Sequence, residues 1–539
     1  MKKKTFISFL ALLCLFGSEL YGQVASPPTA GGSPEGAPAV IYGEINSFHD
    51  YDSLTVQIYE QYIWDNMALF RPITLKVPVE EGTFITGTSH RQVFSIATPP
   101  ISRPSHISIQ SENGYLLKDN LVFPGDSVRA LWDDKKRQVI FNGPSEQLFT
   151  AQYRLSLIDN AERFGKSRSI NTADPEELLA RDNNRMLLKA HSDRYGIPVH
   201  IGPFDFKGHL KELEEGFRSL SKLPGLKYLD TLSNISQAGR EILTADYIYR
   251  KSAHVFNRFF LLYSYAGDPS RTSMVNDLKD VVLGDIKDLR LPDISKVTQL
   301  YSAHFASHEF NRLKSIELLE GTSAHQTIMD DYSGELRERL LTYYLFRESK
   351  KMDNGLERTL ASLETIRGGW YRERLLELVS GLQTGTELPS FTLMDTSGRE
   401  FNLDSLKGKT LLLDFWYTGC KACISYHRNT LSKLEEHFGG NPDVVLVSIS
   451  TDPGKQRWDK SRSQGKYTSD KLLNLCTLGT DHPLVKHFNV FSYPHQVLVG
   501  KDHRVYRTGG IPKDPDALIT IIERIANGSQ KDTLTTIER

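Results

Sequence analysis

The chain has 539 residues, enough for two to four domains. Its composition, 39% hydrophobic and 24% charged, excludes a globally disordered chain and allows sizeable cores. With 65 basic against 66 acidic residues the net charge is −1, so nothing electrostatic points to nucleic acid or an anionic membrane surface as a partner.

The first residues read as an export signal. Lys2, Lys3 and Lys4 form a charged n-region, and Phe6 to Phe16 a short apolar h-region, too short for a membrane span. Cleavage after Gly22 gives a signal peptide over residues 1–22. Cys14 raises lipid anchoring as an alternative, but Leu13 precedes it where a lipid-attachment site takes a small residue, so simple cleavage is expected. Residues 23–38, with Pro27, Pro28, Gly31, Gly32, Pro34 and Pro38, read as a flexible linker. No second run of about 18 apolar residues follows, which predicts a soluble or peripheral mature protein in the periplasm or cell envelope.

Residues 39–144 read as an all-β, sandwich-like domain. Leu54, Val56 and Ile58 alternate, as do Phe94 with Ile96 and Ile107 with Ile109. Turn signals at Glu81-Gly82, Asn113-Gly114 and Pro124-Gly125-Asp126 separate these short strands, a spacing that suggests a small antiparallel sandwich or barrel. No cluster of catalytic side chains stands out there.

Residues 145–383 read as an all-α region. Asp174 can N-cap, Pro175 fits the first helical position and Glu177 completes a capping box. The helix then runs through Leu178, Leu179, Met186 and Leu187 to Tyr195, with Gly196 and Pro198 as stops. Stretches near 236–266, 295–319, 332–349 and 355–382 have similar apolar periodicity, without a fixed-period repeat. His304 and His308 lie one helical turn apart with Glu309 adjacent. The order is not His-Glu-x-x-His and no third ligand is evident, so packing histidines are expected and no metal.

Residues 384–527 alternate strand and helix signals, giving an α/β domain before a polar tail at 528–539. Phe391 to Met394 and Arg399 to Leu403 make a hairpin. Thr410 to Trp416 is a nearly continuous apolar strand, as in a buried sheet centre. A helix is expected over Cys423 to Phe438, and strands over Val444 to Ile449, Gln496 to Val499 and Val505 to Thr508. Pro515 to Ala526 closes as a helix.

The chemistry lies in Trp416-Tyr-Thr-Gly-Cys420-Lys-Ala-Cys423. Removal of the signal leaves three cysteines, Cys420, Cys423 and Cys476, a poor basis for a structural disulfide framework. In an oxidising compartment a Cys-x-x-Cys pair points to thiol-disulfide exchange. Cys420 should open a helix, where unpaired N–H groups and the helix dipole stabilise a thiolate, and Lys421 adds positive charge. Cys423, one turn on, would be more buried and keep its proton longer. Cys420 is therefore the expected nucleophile and Cys423 the resolving thiol. Asp414, the one charge in its apolar strand, is a candidate proton acceptor for Cys423. Tyr493-Pro494 precedes a strand. A cis bond there would expose the Tyr493 backbone for edge-to-edge pairing with a substrate chain, and an ordinary trans turn is the alternative. Cys476, in an apolar stretch, reads as an inert buried thiol rather than a third redox partner.

These residues resemble the thioredoxin fold. The segment Leu406-Lys-Gly-Lys-Thr-Leu-Leu-Leu-Asp-Phe-Trp416, with Cys420, Cys423 and Pro494, resembles the exported TlpA/ResA-like thiol-disulfide oxidoreductases and their redoxin relatives. The resemblance covers roughly residues 384–527. It implies Cys420 as nucleophile, Cys423 as resolving thiol, a redox-active disulfide between them, Pro494 as cis-proline and Asp414 at the buried-acid position. Trp416, Tyr493 and Pro494 would border the bound substrate. It also implies no bound cofactor, disulfide-containing exported proteins as substrates, and a membrane disulfide reductase as electron donor. Phe123-Pro-Gly-Asp-Ser127 resembles the modules fused ahead of such domains. Gly419 stands where many relatives have Trp, and Lys421-Ala422 is an unusual intervening pair, which leaves the direction of electron flow open; Tyr493 is bulkier than the usual Thr or Ile, which implies an altered substrate preference.

Two other functions compete. One is a partner- or glycan-binding envelope protein with a secondary redox domain. The other is a peroxiredoxin-type peroxidase, which wants Pro-x-x-x-Thr-x-x-Cys; no proline precedes Cys420 in its loop.

Overall fold

The computed structural model describes residues 36–528 apart from 64–71, 84–90, 166–167, 173, 181–182, 288, 290–293 and 353. The expected signal peptide, Cys14, most of the linker and the end of the tail lie outside the described residues. The chain divides into two compact units. One comprises residues 1–61, 74–163 and 224–243, the other residues 62–73, 164–223 and 244–539.

Among the described residues the first unit holds nine strands: β1 (Val40–Asn46), β2 (Ser53–Tyr59), β3 (Ile73–Pro78), β4 (Glu80–Glu81), β5 (Gln92–Ala97), β6 (Ser105–Ser111), β7 (Gly114–Val122), β8 (Ser127–Asp133) and β9 (Gln138–Asn142). They form two sheets, in the orders β4-β5-β1-β8-β9 and β3-β2-β6-β7. Period-2 alternation buries Leu54, Val56 and Ile58 on one face of β2. The pairing is not purely antiparallel, because β1 runs parallel to β8. At Gly43 in β1, a Cβ would lie 1.8 Å from the Ala130 carbonyl oxygen, so only glycine fits.

The second unit is helical before residue 383. It also carries a short parallel pair, β10 (Arg168–Asn171) and β11 (Val199–Gly202). Asp174 does cap: its carboxylate accepts the Glu177 N–H at 2.9 Å. The single helix expected to Tyr195 is two, Pro175–Ala180 and Asn184–Tyr195. Asn183 between them takes φ +59°, a left-handed turn that asparagine tolerates. The 295–319 stretch likewise breaks into Lys296–Tyr301 and Phe305–Glu320. The buried Arg339 guanidinium donates to the carbonyls of Gln299, Leu300 and Ser302 and so terminates the first piece. The 355–382 stretch breaks at Gly369, whose φ is +80°. No helix among the described residues is long and apolar enough to cross a membrane.

The α/β part of this unit is built on seven strands: β12 (Thr392–Asp395), β13 (Glu400–Asn402), β14 (Thr410–Trp416), β15 (Val444–Ser450), β16 (Leu473–Cys476), β17 (His495–Val499) and β18 (Val505–Arg507). Their order is β13-β12-β16-β15-β14-β17-β18. β14 is buried at every residue, parallel to β15 and antiparallel to β17. Alternation splits its side chains between two cores. Leu411, Leu413 and Phe415 pack with Leu484 and Phe488, whereas Leu412 packs with Tyr426, Leu434, Leu518 and Ile522. Asp414 and Trp416 share the parity of Leu412, which turns them toward the face that carries the Cys-x-x-Cys helix.

Candidate redox site

Cys420 is the N-cap of helix Lys421–Tyr426, and its Sγ accepts the backbone N–H of Cys423 at 3.0 Å. The two cysteines form a disulfide, with Cα atoms 5.3 Å apart, and both are buried. Behind them lies a compact cluster of Trp416, Trp458, Tyr467 and Cys476, with Met394, Ile424 and Tyr493 packed on its edge. The helix expected to run unbroken to Phe438 contains one π turn, His427–Leu431, before continuing as Ser432–Phe438.

The loop between β14 and Cys420 is fastened from several sides. Trp416 is fully buried, stacked on Tyr467 with centroids 4.8 Å apart, and its indole donates to Ser448 Oγ at 2.8 Å. Gly419 has φ +105°, a conformation that disfavours any side chain. Its N–H donates to the Tyr467 hydroxyl at 2.8 Å. Thr418 donates through N–H and hydroxyl to Asp452, at 3.1 and 2.7 Å. Asp452, itself buried, also accepts from Ser450 and lies 3.3 Å from the Arg457 guanidinium.

Asp414 is buried on the helix-facing side of β14. Gln496 Nε2 donates to its Oδ1 at 2.8 Å. Burial raises its pKa from the usual 3.8 to about 7, opposed by the Gln496 hydrogen bond. The Tyr426 hydroxyl, near enough to feel the Asp414 charge, is buried and also pushed up, chiefly by desolvation.

The Tyr493-Pro494 peptide is cis. The Tyr493 hydroxyl receives the Thr451 hydroxyl at 3.0 Å, and its ring meets the Tyr417 ring edge-on at 5.0 Å. Cys476 is a free buried thiol whose Sγ accepts the Leu478 N–H at 3.4 Å, and burial raises its pKa. Of the residues singled out in the sequence, Cys420, Cys423, Trp416 and Tyr493 therefore meet in one cluster, and Asp414 lies two residues down the same strand. Asp452, Tyr467, Ser448 and Gln496 escaped sequence reasoning. Only Asp452 left a signal, as an acidic residue in the Thr451-Asp-Pro-Gly454 turn after a buried strand.

The helical histidines hold no such site. His308 is buried between the rings of Tyr249 and Phe256, and its Nδ1 lies 2.7 Å from Ser252 Oγ. Desolvation lowers its pKa to about 4, so it is neutral. Glu309 is taken by a two-pronged pair with Arg312 and by the Tyr332 hydroxyl. Among the described residues no group of three or more His, Cys, Asp or Glu could hold a metal ion.

The sheet order, the disulfide at the helix start and the cis-proline that follows Tyr493 define a thioredoxin-like α/β domain. Residues 383–516 match the Redoxin family. Thioredoxin-like protein YneN of Bacillus subtilis is 31% identical over 115 residues, 21% of this chain and 64% of that protein. Thiol-disulfide oxidoreductase ResA of Bacillus subtilis is 43% identical over 68 residues, 13% of this chain and 38% of that protein. The chain thus spans less than two thirds of the length of either relative. Among solved structures, a thiol:disulfide interchange protein from Bacteroides sp. aligns at 23% identity over 29% of this chain and 99% of its own, with a TM-score of 0.24.

Proposed function

We propose that the protein is an exported thiol-disulfide oxidoreductase that reduces disulfides of periplasmic or cell-envelope proteins through Cys420 and Cys423. The observation that carries this reading is the Cys420–Cys423 disulfide at the start of a helix. The redoxin match over the same residues supports it. In the reduced protein, the Cys420 thiolate, favoured by the helix start and the Cys423 N–H, attacks one sulfur of a substrate disulfide. A mixed disulfide forms and one substrate thiolate leaves. Cys423 then gives its proton to Asp414 and attacks Cys420 Sγ. The second substrate thiol is released and the Cys420–Cys423 disulfide forms, so two electrons pass to the substrate. Tyr493 and Pro494 supply the backbone edge along which the substrate chain lies, and Trp416 walls the pocket behind the sulfurs. A membrane disulfide reductase returns the two electrons. No bound cofactor enters the cycle.

The full chain, reduced beforehand, should reduce insulin disulfides, and Cys420→Ser should abolish the activity. Cys423→Ser expressed in the cell envelope should accumulate mixed disulfides with its substrates. A wild-type chain that reduces no disulfide with any reductant would sink the proposal.

A further inference from the structure

The loop that carries the cis-proline is held from the helical part of the same unit. Lys350 lies in the turn Ser349–Lys351, which follows helix Gly334–Glu348. Its Nζ donates to two successive carbonyls, Phe488 O and Asn489 O, both at 2.6 Å. These oxygens end helix Pro483–His487, where a donor from outside satisfies carbonyls the helix leaves open. The amine also sits 4.6 Å from the centroid of the Phe491 ring, against which Phe346 packs at 5.7 Å. An amine has N–H groups enough for both carbonyls whether charged or neutral, so the contact does not depend on its proton.

The surrounding backbone is equally close. The Lys350 carbonyl accepts the Gly510 N–H at 2.8 Å, and a Cβ on Gly509 would come within 2.9 Å of that oxygen. Asn489, at φ +47°, donates its side-chain amide to the Glu377 carbonyl at 2.5 Å. A Cβ on Gly381 would lie 2.6 Å from that same amide. The helical part therefore grips the segment 488–491 at one end, and Tyr493 ties the other end to Thr451 beside the dithiol. Lys350 is itself buried and desolvation pulls its pKa well below the usual value, while the pKa of His495, the residue after the cis-proline, falls first through burial and then through this neighbour.

We propose that Lys350 is a positioning residue for the redox site: through Phe488, Asn489 and Phe491 it holds the loop that presents the Tyr493-Pro494 edge to protein substrates. The inference rests on the oxidoreductase reading. It separates two substrate classes. A protein disulfide must pair its backbone with the 493–494 edge, whereas a small aromatic disulfide needs only the Cys420 sulfur.

The test uses the full chain with dithiothreitol as electron source for turnover on insulin, and the pre-reduced chain in single turnover on 5,5′-dithiobis(2-nitrobenzoate). Lys350→Met keeps the stem and removes the donor, and Phe346→Leu keeps the core apolar and withdraws the ring from Phe491. Lys350→Met should lower kcat/KM for insulin about tenfold, or ~1.4 kcal/mol, through KM, with the small disulfide within about twofold of wild type. Phe346→Leu should act in the same direction and less strongly. Equal loss on both substrates in Lys350→Met with Phe346→Leu at wild-type rates on insulin, or an unchanged insulin KM in both variants, overturns the inference. A wild-type chain inactive on both substrates instead overturns the oxidoreductase reading.

Discussion

Replacing Asp414 by asparagine tests the electrostatics of the site most directly. The carboxyl is buried, and its pKa rises from the usual 3.8 to about 7 because burial penalises the charged form. Folding therefore favours the protonated acid. The folded state keeps a proton that the unfolded chain releases as pH rises through about 4. Stability is greatest below the unfolded pKa, falls as pH climbs toward about 7, and is level above that. At about 1.36 kcal/mol per pH unit, the rise from 3.8 to about 7 corresponds to an upper bound of roughly 4 kcal/mol lost at pH 8. Asparagine has the same shape, its carbonyl can still accept from Gln496 Nε2, and it never ionises. Asp414→Asn should therefore be more stable than the parent by about 2–4 kcal/mol at pH 8, and equal to it or slightly less stable at pH 4. Cys476 provides a local reporter, since its thiol is 1% exposed. In a chain whose other cysteines are serine, its labelling by a pyridyl disulfide across a urea series reports unfolding of this domain. Comparing variant and parent at one pH cancels the thiol's own reactivity. A stability difference of the same size at both pH values would refute the assigned burial of charge.

Gln496→Leu removes the hydrogen bond that opposes burial at Asp414, so the pH dependence of mixed-disulfide resolution should move upward by under about one pH unit, the worth of one ~1 kcal/mol hydrogen bond. Stopped-flow rates of insulin reduction between pH 5 and 9 would reveal it. Gly419→Ala puts a side chain at φ +105° and should cost on the order of 1–3 kcal/mol in urea unfolding, although a Cβ there meets no neighbour. Asp452→Ala strips the acceptors of Thr418 and Ser450 and should cost roughly 2–3 kcal/mol, while Asp452→Asn should recover part of the loss.

What the sequence made legible follows from how local each signal is. β14 was readable because a strand buried on both faces must be apolar throughout, which also made Asp414 conspicuous. The helix Pro515–Ala526 carries its own start signals, Asp514 capping the Ala517 N–H with Pro515 at the first position. Two of the breaks inside the expected helices were harder. One depends on Arg339 reaching carbonyls some 37–40 residues away in sequence, the other on a left-handed Asn183 that sequence tolerates without announcing. Tyr467 and Lys350 were illegible, and Asp452 was visible only as an acid in a turn, for the same reason. Each acts on the redox site through a partner distant in the chain, and neither tyrosine, aspartate nor lysine has a pattern that names its partner.

Those distant contacts bear on why two chemically identical thiols would take different roles. Gly419, fixed by Tyr467, and Thr418, fixed by Asp452, hold the loop so that Cys420 arrives at the helix start rather than one residue inside it. At the cap its sulfur receives the Cys423 N–H, an interaction worth most to a thiolate. Cys423, one turn inside, has its own N–H spent on Cys420 and gains no such donor from that bond. A helix-start effect would thus lower the pKa of one thiol, while Asp414, in its proposed role as proton acceptor, would serve the other. If Lys421 set the asymmetry instead, salt would erase it, because an exposed ammonium is screened within about 10 Å at 0.1 M ionic strength, whereas backbone N–H groups and a buried carboxyl are not. The proposed division of roles therefore predicts a Cys420 alkylation rate, measured on the reduced chain near neutral pH, that changes less than about twofold between 0.05 and 1 M salt. A several-fold fall with salt would move the origin of the reactivity from the backbone to Lys421.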